Sequence, residues 1–293
     1  MQTKHQVELL LSRAGRLPNK TLGQHFLIDL NLMRLLIDTA AIEKDDTVIE
    51  IGCGTGSLTE ALAERAGSVI GIEYDKVLAE IVTSRFTGAA NVRIINGDAL
   101  ANKNTINPQI LTATKEEQQK LGGRILLIAN LPYNIASAVM VNLTCGKLAV
   151  DAMFVTVQKE VAERMAAPPA GKHYGTLSII LGATGTVKIF RKLGKHVFWP
   201  EPEVESAMVS FVRQMDKVER IGDMEIFRQV VALFIGHRRK MLRACVKFAT
   251  GRLSGIDGWA DIFTNAGIDP KLRGEDIPID DFISIANLCS EQK

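Results

Sequence analysis

Residues 124–134, RILLIANLPYN, bring three kinds of chemical group to one place. An apolar run that stops at Asn130, Leu131, Pro132 and Tyr133 reads as a buried strand. It delivers an amide side chain, a turn of fixed φ and an aromatic ring to the carboxyl edge of a parallel sheet, where ligands bind. The set suits an exocyclic amine on a flat base. The Asn130 side-chain oxygen and the Leu131 carbonyl can each accept one N6 hydrogen of adenine, and Tyr133 offers a stacking face. The N6 lone pair is delocalised into the ring, so two acceptors that draw it toward tetrahedral geometry raise its reactivity with no Ser, Cys or metal involved. The competing reading is a proline turn that merely ends a strand.

A second group of residues suits a cofactor. Residues 47–51 read as a strand, Gly52, Cys53, Gly54, Thr55 and Gly56 as a tight loop, and residues 58–65 as a helix. A second strand over 68–72 ends in Glu73, placed where an acid takes two ribose hydroxyls; a nicotinamide enzyme uses the same acid. The dinucleotide fingerprint needs a third glycine where Ser57 stands. The loop is GxGxG preceded by Glu50, the form typical of S-adenosylmethionine binding, in which the glycines let the backbone approach a ligand without pyrophosphate. A structural turn or another nucleotide is the alternative. A third strand over 92–96 ends in Gly97 and Asp98, and Asp98 either accepts from a cofactor adenine amino group or caps the next segment.

Two further stretches carry candidates. In HVFWPEPEVES, residues 196–206, the prolines at 200 and 202 force an extended loop, and Phe198 is the aromatic placed to stack on a base opposite Tyr133. Its other reading is a hydrophobic lid packed on the core. GHRRKMLR, residues 236–243, is the densest basic cluster, and reads either as a solvated helix face or as a phosphate-backbone contact through His237, Arg238, Arg239, Lys240 and Arg243.

The elements that must position these groups are legible from periodicity. Helical spacing over 6–15 leads into a basic segment with Arg13, Arg16 and Lys20, for which a transit peptide is the competing reading, weakened by Glu8. LGQHFLID, residues 22–29, precedes a helix that Asp29 or Asn31 caps. Residues 101–123 read as a polar surface excursion with a short helix around 114–121, and no chemistry is assigned to it. Ser137 is placed to cap a helix reaching Cys145; strands follow over 152–157, 187–191 and 207–212, with helices from 159 and 175. From Met224 the pattern is helical throughout, the basic cluster included.

At 293 residues the chain exceeds one comfortable core, so one α/β domain plus a smaller one is expected. The net charge of +2 by itself points to neither nucleic acid nor membrane. Cys53, Cys145, Cys245 and Cys289 form no CxxC or Cys/His cluster, so neither a metal site nor a disulfide framework is expected, and the setting is a reducing cytoplasm. No apolar run reaches the roughly 18 residues of a membrane span, and no signal-peptide pattern opens the chain.

With these stretches in hand, the chain resembles the rRNA adenine N6,N6-dimethyltransferase family over nearly its whole length. The likeness rests on LGQHFLID, EIGCGTGSLTE, VIGIEYD, INGDAL, ANLPYNIAS, VQKEVAERM, YGTLSI, VFWPEPEVESAMV and HRRKMLR, in the family's order. It implies an α/β, Rossmann-like class I methyltransferase with a seven-strand mixed sheet and a small all-helical C-terminal domain. The chain then divides into an N-terminal helix and basic arm (1–30), the methyltransferase domain (31–215) and an RNA-contacting helical domain (216–293). The implied cofactor is S-adenosylmethionine, held by His25, Leu27, Gly52, Gly54, Glu73, Asp98 and Asn130. The target base falls to Asn130, Leu131, Pro132, Tyr133 and Phe198, and RNA to Arg238, Arg239, Lys240 and Arg243. The implied substrate is two adjacent adenosines near the 3′ end of small-subunit (16S) rRNA, met on the pre-30S particle by a monomer. The chain departs from the family pattern at His25, usually Asn, and at Cys53, often Pro; Glu201 and Glu203 add acid, and 101–123 looks long. The rival readings are a large-subunit rRNA adenine N6-methyltransferase of the macrolide-resistance type and an rRNA-binding assembly factor without activity.

Overall fold

A computed structural model describes residues 1–19 and 22–292; Lys20 of the basic segment lies outside the described residues. Contacts divide the chain into two compact units, Met1–Ala162 with Lys188–Val212, and Glu163–Val187 with Arg213–Lys293.

The first unit opens with α1 (Lys4–Arg13), β1 (Phe26–Leu27) and α2 (Leu30–Ala40). Alternating strands and helices follow: β2 (Thr47–Ile51), α3 (Ser57–Ala63), β3 (Ser68–Glu73), α4 (Lys76–Arg85) and β4 (Val92–Asn96). Next come β5 (Leu100–Asn102), β6 (Thr105–Ile106), α5 (Pro108–Leu121), β7 (Ile125–Asn130), α6 (Ala136–Cys145), β8 (Ala152–Gln158) and α7 (Lys159–Met165). After α8 (Thr176–Thr184) the chain forms β9 (Gly185–Leu193), β10 (Phe198–Trp199) and β11 (Ser206–Arg213).

Seven strands make one sheet in the order β4-β3-β2-β7-β8-β11-β9. Neighbours from β4 to β8 run parallel, whereas β11 lies antiparallel to β8, so the sheet is mixed as expected. β2 and β3 are buried at every position because helices cover both faces of the sheet centre, which is why their sequences do not alternate. Parallel strands all end at one edge, and there the chain brings Ile51 and the glycine loop, Glu73 and Asn130 together. At the opposite edge Asp46, fully buried, accepts from Arg124 Nε at 3.0 Å and Nη2 at 2.6 Å, fastening the start of β2 to the start of β7.

Several local readings change. Residues 101–123 are not a surface excursion: Asn107 caps a 14-residue helix that opens on Pro108 and closes on Gly122 at φ 78°, and α5 packs on β2 and β3 as the crossover between β4 and β7. Only Ile110, Ala113 and Thr114 of it are buried, so a polar sequence suffices for a helix with one narrow packed face. Ser137 does not cap α6, which begins at Ala136 without a side-chain cap. Asp29 does cap α2, accepting from Asn31 and Leu32 N–H at 2.9 and 3.1 Å.

The second unit adds α9 (Met215–Val218), α10 (Met224–Gly236), α11 (Leu242–Cys245), α12 (Trp259–Ala266) and α13 (Ile279–Glu291). α8, α10, α12 and α13 pack through Ile226, Phe227, Val230 and Phe234 of α10 and Phe282, Ile285 and Ala286 of α13. Phe234 meets the edge of Trp259 at 6.0 Å and 84°. The basic cluster is not helical as its sequence suggested. Residues 237–240 form the turn between α10 and α11, and only Leu242–Cys245 resumes a helix.

Candidate active site

The carboxyl edge of the sheet opens on a cavity of about 320 Å³ in the first unit. His25, Leu27, Gly52, Gly54, Glu73, Asp98, Asn130, Leu131, Pro132 and Tyr133 all line it, so one space collects ten of the residues singled out in the sequence. Phe198 does not. Its side chain is 1% exposed and packs into the core with Leu27, Leu36 and Met208.

Backbone conformation dictates the glycines of the loop. Gly52 has φ 80° and a Cβ there would lie 3.2 Å from Pro132 Cγ; Gly54 has φ 57° and a Cβ would lie 2.9 Å from Phe26 Cε1. A side chain at either position would be strained and would push on the Asn130–Tyr133 turn or on β1. Glu73 fixes the same loop, accepting from Gly54 N–H through Oε2 at 2.8 Å and from Asp75 N–H through Oε1 at 2.9 Å. Burial pushes its carboxyl above the usual range, and these amides oppose the rise. Glu50 lies deeper, and burial moves its pKa up to about 8 although the Thr59 hydroxyl donates to it at 2.6 Å. Burial, then the two acids, hold the Cys53 thiol far above its ordinary value, so it is no nucleophile. Asp98 is exposed at the rim, with Oδ1 accepting from Leu100 N–H at 2.9 Å.

The lining has a charge character that selects among cofactors. Among the described residues it holds Glu50, Glu73 and Asp98 and neither lysine nor arginine. A pyrophosphate would meet the acids Glu73 and Asp98 and no cation, Glu50 keeping its proton, whereas a sulfonium and an ammonium group suit this lining. The residues present therefore fit S-adenosylmethionine.

Beside Gly52 the Asn130 amide is oriented. Nδ2 donates to the His25 carbonyl at 2.8 Å, and Oδ1 is buried without a hydrogen-bond partner. An unpartnered buried acceptor is costly and needs a reason. Leu131 N–H donates to Thr156 O at 3.1 Å, while its own carbonyl takes no backbone hydrogen bond among the described residues. The Tyr133 hydroxyl pairs with Ser206 Oγ at 2.7 Å, and the Tyr133 ring stacks on His25 at 5.7 Å and 25°. Burial raises the Tyr133 phenol, with Ser206 opposing. His25 Nδ1 lies 2.8 Å from Pro200 O, a contact that requires the proton on Nδ1.

Sequence reasoning missed three participants. Ser206 anchors the Tyr133 hydroxyl, a pairing that no local signal announces because 73 residues separate the two. β1 and β10 form an antiparallel ribbon, Phe26 opposite Trp199 and Leu27 opposite Phe198, which draws Phe198 into the core and sets His25 beside the turn. α1 and the residues before it are the third: Val7 lines the cavity, and the side chain of Gln2, 4% exposed, donates through Nε2 to Thr55 O at 3.1 Å and accepts from the Thr55 hydroxyl through Oε1 at 2.5 Å. The apolar spacing of Val7 and Leu11 was the available clue that this helix packs.

Glycine loop, acid at the end of the second strand and seven-strand sheet define a class I methyltransferase. The same architecture is found in a dimethyladenosine transferase from Plasmodium falciparum, with TM-score 0.67, 22% identity and coverage of 90% of this chain and 97% of that one. It is also found in the 23S rRNA methyltransferase ErmE, with TM-score 0.60, 20% identity and coverage of 90% and 99%. The chain belongs to the family described as Ribosomal RNA adenine dimethylase, whose model matches residues 16–291. Curated relatives named "Ribosomal RNA small subunit methyltransferase A" include that of Pelotomaculum thermopropionicum, 36% identical over 283 residues (96% of this chain, 94% of the relative). That of Bacillus mycoides is 34% identical over 289 residues (97% and 96%). Among the described residues no helix is long and apolar enough to cross a membrane, and no group of three His, Cys, Asp or Glu could hold a metal ion.

Proposed function

We propose that this enzyme dimethylates N6 of two adjacent adenosines near the 3′ end of small-subunit (16S) rRNA, acting in the cytoplasm as a monomer on the pre-30S particle during subunit maturation. The observation that carries the reading is Asn130 Oδ1, a buried acceptor without a partner, held in place by the bond from Nδ2 to His25. Bound S-adenosylmethionine supplies an electrophilic methyl group. Glu73 would take the ribose hydroxyls, the backbone of Gly52 and Gly54 would leave room for the amino-acid end, and His25, Leu27, Asp98 and Asn130, which line the same cavity, would complete the contacts.

Asn130 Oδ1 and the Leu131 carbonyl would accept the two N6 hydrogens and draw the amine toward tetrahedral geometry, which frees its lone pair from the ring. Tyr133 and Pro132 hold the base plane. Phe198 supports the site from beneath in this structure, packed against Leu27. Catalysis is positioning without a general base, and the methylated amine loses its proton to water. The second transfer needs the same acceptors with one hydrogen left on N6. The unit ending the chain contacts RNA phosphates through Arg238, Arg239, Lys240 and Arg243.

The test is methyl transfer from radiolabelled S-adenosylmethionine onto unmethylated small subunits, followed by nucleoside analysis. N6,N6-dimethyladenosine in 16S rRNA is the expected product. Label in large-subunit rRNA alone, or tight binding to small subunits without transfer, overturns the reading.

A further inference from the structure

The turn after α10 and the 3₁₀ turn Val246–Phe248 place an aromatic surface among cations. Phe248 is 43% exposed, and the His237 ring lies on it with centroids 4.2 Å apart and planes at 15°. The Nδ1 atom of His237 is 2.9 Å from Leu233 O, so the backbone of α10 fixes the orientation of that ring. Lys240 Nζ sits 5.4 Å from the Phe248 ring centre. Residues of this short segment differ sharply in their partners. Arg238 is ion-paired to Glu275, and its charge is compensated within the unit. Arg239, Lys240, Arg243 and Lys247 have no carboxylate partner among the described residues.

Stacked aromatic rings beside cations without carboxylate partners suit a ligand that carries both a flat π face and negative charge. Bases present flat π faces and are never more than a few ångströms from a phosphate, so an unpaired nucleotide satisfies ring and cations together. We infer that the His237–Phe248 stack is a platform for an unpaired rRNA base, with Arg239, Lys240 and Lys247 on the flanking phosphates. This rests on the reading of the same unit as RNA-contacting and adds what it reads: a splayed base, not a continuous duplex backbone.

The proposal is tested on the full-length protein with Phe248→Leu, which keeps apolar packing and removes the π face, and with Phe248→Trp, which restores one. Two probes are used, unmethylated small subunits and a single-stranded RNA carrying 2-aminopurine, whose fluorescence falls when the base stacks; Tyr133→Ala serves as the control for stacking in the active site. Phe248→Leu should weaken small-subunit binding by roughly 5- to 100-fold, the equivalent of one lost base–aromatic stack, with salt slope and cofactor affinity unchanged. It should abolish the part of the quench that survives in Tyr133→Ala, and Phe248→Trp should regain it. Unchanged binding and quench in Phe248→Leu, with Arg239→Ala still flattening the salt slope, would overturn the platform and leave the phosphate contact standing. Weakened subunit binding with an unchanged quench would also overturn it, because Phe248 would then be meeting a protein.

Discussion

Asn130 and His25 are joined by a single hydrogen bond across 105 residues of sequence, from the amide Nδ2 to the carbonyl oxygen at 2.8 Å. Because a main-chain carbonyl can accept but not donate, it must face the NH2 end of the amide, which cannot flip without placing two oxygens together. The bond therefore decides that Asn130 presents oxygen, not nitrogen, to the cavity.

Asn130→Ala removes the acceptor and should lower both methyl transfers by roughly 100- to 1,000-fold, the range for loss of one preorganised group that acts on the reacting atom. Asn130→Asp should fare no better, since a carboxylate facing the His25 carbonyl is repelled from the working position. Mass spectrometry of digested rRNA separates mono- from dimethyladenosine. Near-normal dimethylation by Asn130→Ala would mean that the base is held elsewhere.

The Tyr133 hydroxyl pairs with Ser206 Oγ at 2.7 Å, so its first role is to hold the ring in place. Tyr133→Phe and Ser206→Ala should each cost about 1 kcal/mol of stability and leave transfer within a few-fold of normal. Tyr133→Ala should remove about 1–3 kcal/mol of base stacking. Thermal denaturation alongside single-turnover kinetics checks all three; a Tyr133→Phe enzyme as poor as Tyr133→Ala would give the hydroxyl a direct role.

Glu73→Ala should weaken S-adenosylmethionine binding by roughly 1.5–3 kcal/mol, the range for a hydrogen bond to a charged group. The loop loses its anchor as well, because Glu73 accepts from Gly54 N–H. Glu73→Gln retains one acceptor oxygen and should fall between. Calorimetric titration with unchanged affinity in Glu73→Ala would remove it from the ribose site.

Glu50 gives a pH signature. Its pKa stands at about 8 when folded against 4.5 for the ordinary group. A raised acid contributes stability that is full below the unfolded value and is lost as pH rises through the folded one, since the unfolded chain releases a proton that the folded chain keeps. Melting temperature should therefore fall between pH 5 and roughly 8. Glu50→Gln should flatten that fall, by as much as roughly 3–4 kcal/mol over the window. Glu73, raised by burial, leaves a residual slope of the same sign. A Glu50→Gln profile parallel to wild type would show that Glu50 is ionised in the fold.

Arg238 and Arg239 are neighbours with unequal circumstances, one ion-paired to Glu275 and the other without a carboxylate partner among the described residues. Arg239→Ala should reduce the salt dependence of small-subunit binding by about one unit of slope. Arg238→Ala frees Glu275 and should weaken binding more than the lost contact alone explains. Equal effects of the two, measured across ionic strengths, would mean that the Glu275 pair opens on RNA.

By itself the sequence determined what is local: the strands β2, β3 and β7, the glycine turn after the first, the acid closing the second and the Asn130 turn closing the third. Each is set by neighbours in the chain, through unbroken apolar runs, residues that permit positive φ and a proline that fixes it. The polar helix 108–121 escaped because three buried positions in fourteen leave little apolar rhythm. The turn at 237–240 escaped because four polar residues fit helix and turn alike. Only the tertiary structure decided which way the Asn130 amide faces, that Phe198 lies in the core while His25 stacks on Tyr133, and that Ser206 holds the Tyr133 hydroxyl. The first two depend on β1 pairing with β10 across more than half of the chain and the third on β11 pairing with β8 beside β7, and composition or spacing near any of these segments carries no record of the partner it will meet.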